Sequence, residues 1–231
     1  IRADREKYRL SAPELEEQTA LLRKRFERIA VVMQCTHQAR LTNEQLGEIC
    51  SEEESKYLEL HGLWEVDAAG CWAFVHNNFR EYFAACWLMR KPLEDALPFF
   101  SWYLEKEKVK PSWMNVLAYM AKKKGSRQLQ DWIAENDPSI ITLFERDSFS
   151  KEQRSEIFQR VYEQHEANLT WADVDHDALK RMGSFASCGI SVEYILDKLT
   201  KKTHLRQEKN LLRVMRFFDD LYGYEDECCL V

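Results

Sequence analysis

Glycine and proline are scarce, at 7 and 5 of 231 residues, where globular chains carry about 12% of the two combined. Tight turns and left-handed backbone positions depend on those residues, so few hairpins are available. An all-β fold and a glycine-rich nucleotide fold are disfavoured from the outset. Hydrophobic residues at 45% and charged ones at 31% exclude a disordered tail. No apolar run approaches the roughly 18 residues of a spanning helix. The expectation is a mostly α protein of the cytoplasm. Its first residue is Ile1 and Ile1-Arg2-Ala3-Asp4-Arg5 does not read as a signal peptide, so the chain is expected to be a piece of a longer protein.

The net charge of −6 is evenly spread, with 12 basic against 15 acidic residues over 1–90 and 21 against 24 over 91–231. Neither part carries the basic excess of a phosphate-backbone binder; nucleic acid is a disfavoured partner and no membrane partner is expected. The seven cysteines (Cys35, Cys50, Cys71, Cys86, Cys188, Cys228, Cys229) form no C-x-x-C and read as buried thiols of a reducing compartment.

Along the chain, Leu15, Leu21, Leu22, Phe26, Ile29, Ala30 and Met33 recur at spacings of three and four, predicting amphipathic helix from Glu14 to Met33. Thr42-Asn43-Glu44-Gln45 and Ser51-Glu52-Glu53-Glu54 are capping boxes that start two short helices, the second closed by His61-Gly62. Leu63–Val66 and Cys71–Val75 are β-prone and flank the turn Asp67-Ala68-Ala69-Gly70, predicting one small hairpin. Three helices and then a hairpin is the order of a winged helix. A nearly all-apolar helix follows from Asn78 to Met89.

Beyond Pro92 only helices are predicted: Leu93 to Glu107, Ser112 to Lys124, Arg127 to Glu135, a start at Asp137-Pro138, another at the capping box Ser150-Lys151-Glu152-Gln153, then Asp177 to Met182, Ser191 to Thr200 and Leu205 to Tyr222. The fold class is a winged-helix domain over 1–90 followed by a helical bundle or HEAT-like α-solenoid over 91–231.

Catalytic and metal motifs are missing. Walker A, G-x-S-x-G and H-E-x-x-H do not occur, and no Cys/His set has zinc spacing, so the fragment is expected to be no enzyme. Asp173-Val174-Asp175-His176-Asp177 has alternating carboxylates, but Ala178 and Ser184 stand where a calcium loop needs Gly and Glu; it reads as a capped loop. Cys228-Cys229-Leu230-Val231 matches a prenylation pattern only in form, since acidic residues precede it. The second and third helices carry Glu44, Glu48, Glu52, Glu53, Glu54 and Glu59 against Lys56 alone, a charge that repels DNA.

The segment from Trp72 to Leu88 closely resembles a motif of NACHT-type signal-transduction ATPases, in which a strand ending F-x-F/V-H leads into a helix reading S/T-F-Q-E-Y/F-F-A-A. Phe74, His76, Phe79, Glu81, Tyr82, Phe83, Ala84 and Ala85 match; Asn78 and Arg80 depart from it. The resemblance covers roughly residues 20 to 90. It implies that His76 contacts the terminal phosphate of ADP held by an upstream P-loop domain, and so locks a closed state until ATP replaces ADP. ADP or ATP with Mg is thus implied for the parent protein, and no cofactor for this fragment alone. The residues at 111–165 more weakly resemble the helical region following the winged helix in bacterial members. Expected partners are the P-loop domain and, through the helical region, a protein ligand or further copies of the chain, plausible for immune or antiviral signalling.

Two other readings stand beside this one, a nucleotide-independent helical scaffold and a winged-helix DNA-binding regulator. Phe74, Phe79, Tyr82 and Phe83 are expected in the core, and Glu81 is expected to anchor a backbone or basic group.

Overall fold

The computed structural model describes residues 11–59, 62–103, 107–122, 127–137, 140, 144–168, 174–201 and 205–228. The protein is mostly helical and divides into two compact units, Ile1–Lys123 and Lys124–Val231.

The first unit is built on helix α1 (Ala12–Cys35). Ser11 and Glu14 form a capping box at its start, a signal the apolar spacing alone did not carry. Its stripe Leu22, Phe26, Ile29, Ala30 and Met33 is buried, whereas Leu21 faces solvent. The two expected capping boxes open α2 (Asn43–Ile49) and α3 (Glu52–Glu59). Thr42 and Gln45 exchange bonds of 3.2 and 2.9 Å, and Ser51 and Glu54 bonds of 3.2 and 3.0 Å. Such reciprocal bonds satisfy backbone donors that a helix start leaves free. The expected His61-Gly62 stop falls partly outside the described residues.

Strands β1 (Trp64–Val66) and β2 (Trp72–Phe74) pair antiparallel, Trp64 opposite Phe74 and Val66 opposite Trp72. Asp67 makes the turn: its carboxylate accepts from the N–H groups of Ala69 and Cys71 at 2.8 and 3.0 Å. Gly70 takes φ +76°, a value that suits a residue without Cβ. Leu41 adds an antiparallel bridge to Trp72, through backbone bonds of 2.8 and 2.7 Å. A bare two-stranded hairpin is marginal in water. Here Trp64 and Phe74 pack with Phe26 of α1, Phe74 with Phe83 and Trp72 with Trp64, ring centroids 4.9 to 6.3 Å apart.

Helix α4 (Asn77–Leu88) follows and lies against α1, burying Phe83, Ala84, Ala85 and Leu88. The small pair Ala84 and Ala85, each 0% exposed, lets the two backbones approach.

One expectation fails beyond Pro92. The predicted single helix Leu93 to Glu107 is instead α5 (Leu93–Phe100) and a second hairpin, β3 (Ser101–Tyr103) with β4 (Glu107–Val109), Ser101 opposite Val109. Pro98 lies inside α5, where it lacks an N–H and crowds the preceding turn. The helix ends two residues later. The Lys110 ammonium donates to the carbonyls of Pro98 and Phe99 at 3.0 and 2.9 Å, satisfying groups at that helix end. A 3-10 turn (Pro111–Trp113) then leads into α6 (Met114–Ala121), which packs on α4. The first compact unit runs on to Lys123, past the expected boundary at 90/91.

The second unit contains α7 (Arg127–Asn136), a 3-10 turn (Arg146–Ser148), α8 (Lys151–Asn168), α9 (His176–Ala186), α10 (Gly189–Thr200) and α11 (Leu205–Met215). Ser150 and Gln153 cap α8 reciprocally. Asp175 caps α9 by accepting from the Ala178 N–H at 2.6 Å. The helix start at Asp137-Pro138 falls mostly outside the described residues. Phe158, Val161, Val192, Ile195, Leu211 and Val214 form the core. The predicted helix to Tyr222 stops at Met215. Tyr222 takes φ +57°, and its hydroxyl donates to the Ser187 carbonyl at 2.9 Å. The thiols also divide: Cys50 and Cys188 are buried, Cys71 and Cys86 half-buried, and Cys35 exposed against expectation. Cys35 is the last residue of α1, beyond the stripe that faces α4.

Candidate functional site

His76 sits where β2 hands the chain to α4. The corner is fixed by backbone bonds from Val75 N–H to the Leu63 carbonyl (3.1 Å) and from Phe79 N–H to the His76 carbonyl (3.0 Å). With φ −144° and ψ +139°, His76 is extended, so its ring folds back over the first turn. Its Nδ1 accepts from the Asn78 N–H at 3.1 Å. This is the N-cap role usually taken by Ser, Thr, Asp or Asn. Since Nδ1 supplies its lone pair, the neutral ring carries its proton on Nε2, the outer nitrogen. The residue is exposed.

The surroundings favour an anion. No acidic residue lies in the first turn of α4, and the N-terminus of a helix carries a positive partial charge. Nε2–H thus adds a donor beside it. Arg80 does not contribute freely, because its guanidinium donates to the Gln38 carbonyl at 3.2 Å.

The other motif residues separate into a buried and an exposed set. Phe74 and Phe83 are in the core as expected. Phe79 and Tyr82 are not: they are 36% and 38% exposed, and Val75 joins them at the surface. The i, i+3 spacing of Phe79 and Tyr82 puts them together on one exposed side of α4. The Tyr82 hydroxyl accepts from Arg23 at 3.2 Å, and its ring stands edge-on to Tyr119 of α6, 5.9 Å away.

Glu81 is buried, and its carboxylate accepts from the Asn115 side-chain amide at 3.0 Å. The anchor is thus an amide of α6, not a backbone or basic group. Nothing in the sequence links positions 34 residues apart; only the α4–α6 packing does.

Comparison of the chain with family models, with curated proteins and with solved structures finds no match. The residues themselves therefore carry any assignment.

Among the described residues no three His, Cys, Asp or Glu side chains converge as a metal site would require. A cavity of about 420 Å³ lies elsewhere in the first unit, lined by His37, Phe99, Trp102, Lys110 and Trp113 among others. His76 is not part of it. The Lys110 ammonium on its wall is already committed to the two α5 carbonyls.

Proposed function

We propose that the chain is the winged-helix and following helical region of a NACHT-like regulatory ATPase, a nucleotide-state switch joined to a sensor or scaffold. The fragment itself performs no catalysis; the parent protein hydrolyses or exchanges nucleotide in the cytoplasm, in immune or antiviral signalling. The observation that carries this reading is the exposed His76 ring, whose Nε2–H is left to donate because Nδ1 caps α4. Three helices followed by a hairpin, with Leu41 bridging the return strand, support the winged-helix assignment.

In this reading Nε2–H donates to the terminal phosphate of ADP bound by an upstream P-loop domain. A side chain biases a two-state equilibrium only by binding better in one state. A hydrogen bond to a charged group contributes about 1.5–3 kcal/mol, enough to hold the closed form by roughly one to two orders of magnitude.

The test separates the cap from the contact. His76→Asn in the parent protein keeps a side-chain acceptor for the Asn78 N–H and removes the Nε2 donor. ADP affinity should fall about tenfold or more, with partial activation in the absence of stimulus, while the thermal transition stays in place. His76→Ala should do the same and also lower stability by about 1 kcal/mol for the lost cap. Unchanged ADP retention in His76→Asn would return the chain to the nucleotide-independent scaffold.

A further inference from the structure

Residues 198–216 hold seven lysines and arginines and one acidic residue, Glu208, within a chain of net charge −6. The even balance between the two parts of the chain conceals this reversal. Helix α11 organises it. Asn210, Leu211, Val214 and Met215 are buried in the second unit. The opposite face exposes Arg206, Lys209, Arg213 and, just past the helix end, Arg216. At about 100° per residue these four cations share one face, and at about 1.5 Å per residue they extend over roughly 15 Å.

Two leucines edge the same face. Leu205 is 65% and Leu212 45% exposed, and a seven-residue spacing sets one above the other along the helix. Among the described residues Lys209, Arg213 and Arg216 meet no carboxylate. Beyond Glu208, the flanking acids have partners of their own: Asp197 pairs with Lys201, Asp219 with Arg146, and Asp220 accepts from the Tyr222 N–H.

We infer that this face of α11 is a docking surface for an anionic lipid headgroup layer. The cations supply attraction to the headgroups, and the two leucines enter the boundary with the acyl chains. A basic helix face edged by apolar residues binds membranes in this way without crossing them, and no helix among the described residues is long and apolar enough to cross. The leucines decide between anionic partners, because a nucleic-acid backbone would satisfy the cations and leave both apolar side chains in water. The buried face stays in the fold, so α11 binds as a rigid part of its unit.

The test uses the whole chain and vesicles sedimented with it. Phosphatidylcholine vesicles containing phosphatidylserine should pull the protein down, and pure phosphatidylcholine should not. Raising salt should weaken binding, since exposed charges are screened. Each cation neutralised, in Lys209→Gln, Arg213→Gln or Arg216→Gln, should reduce partitioning about fivefold. Leu205→Ser with Leu212→Ser should reduce it about tenfold and leave the circular dichroism unchanged, because both side chains are on the surface. Failure of the unsubstituted chain to bind, or equal binding to neutral vesicles, would overturn the inference. So would retention on a short RNA or DNA duplex that the serine changes do not alter, or self-association abolished by the same glutamine changes. This inference is independent of the role given to His76.

Discussion

An imidazole that caps a helix through Nδ1 has its tautomer chosen for it, and His76 is in that position. The structural duty and the proposed phosphate contact use different nitrogens, so neither excludes the other. A comparable local decision occurs at Gly183, in the middle of α9. A Cβ there would come within 2.5 Å of the Val214 carbonyl oxygen and 2.7 Å of the Phe217 Cβ. Alanine would gain up to about 1 kcal/mol of helix propensity. The obstacle is a backbone carbonyl that cannot rotate aside, so the overpacking cost of about 1–3 kcal/mol wins. Gly183→Ala is therefore expected to destabilise the second unit, read as an earlier denaturant midpoint. An unchanged midpoint would mean that α9 and the end of α11 separate at little cost.

At the scale of elements, the α1–α4 pair contains a polar contact that the apolar stripe hides. Glu27 of α1 is 1% exposed and is held by Arg90, just beyond α4, with Arg23 4.0 Å away. Burial pushes the Glu27 carboxyl above its ordinary value of 4.5, and the Arg90 charge opposes that rise. Removing Arg90 leaves the buried carboxylate with only more distant charges, such as that of Arg23, against it. Arg90→Met should cost about 3 kcal/mol near neutral pH, and the penalty should shrink as acid protonates Glu27. A penalty that did not change with pH would show that Arg90 acts through packing alone.

Elements also differ in how much of them could be read from sequence. The capping boxes at Thr42, Ser51 and Ser150 appear as expected, since each closes within four residues of chain. The β3–β4 hairpin is not legible in the sequence, because Trp102 and Tyr103 next to an apolar helix give no periodicity of their own. Pro98 was the available signal, as a residue that ends a helix soon after it.

For the whole molecule, burial shifts one group in each unit, in opposite directions. In the second unit, burial lowers His165 below 6.5, so the unfolded chain binds the proton more readily. Its contribution is complete above 6.5 and is lost as pH falls through the folded value. In the first unit Glu27 behaves inversely: its contribution is complete below 4.5 and is lost as pH rises through the elevated value. Mild acidification from pH 7 toward 5 should therefore weaken the second unit while Glu27 offsets losses in the first. Further acid reverses this for the first unit. Backbone hydrogen bonds from Ser51 and Cys71 hold Glu54 and Asp67 below their ordinary 4.5 and 3.8, and protonating them removes that support. Hydrogen exchange followed separately in α4 and α8 checks the divergence, and His165→Gln should flatten the response of α8. Parallel loss of protection in both helices down to pH 5 would contradict the assignment.

Helix starts, the Asp67–Gly70 turn and the mostly helical character followed from sequence alone, because caps and turns are closed by side chains bonding to backbone a few residues away. Other features needed the tertiary structure: that Phe79 and Tyr82 lie at the surface, that Glu81 is held by Asn115, that α6 packs on α4, and that the exposed cations of α11 share one face. Each depends on which side of a helix a distant segment covers. Burial is a property of two surfaces meeting, and periodicity describes only one of them.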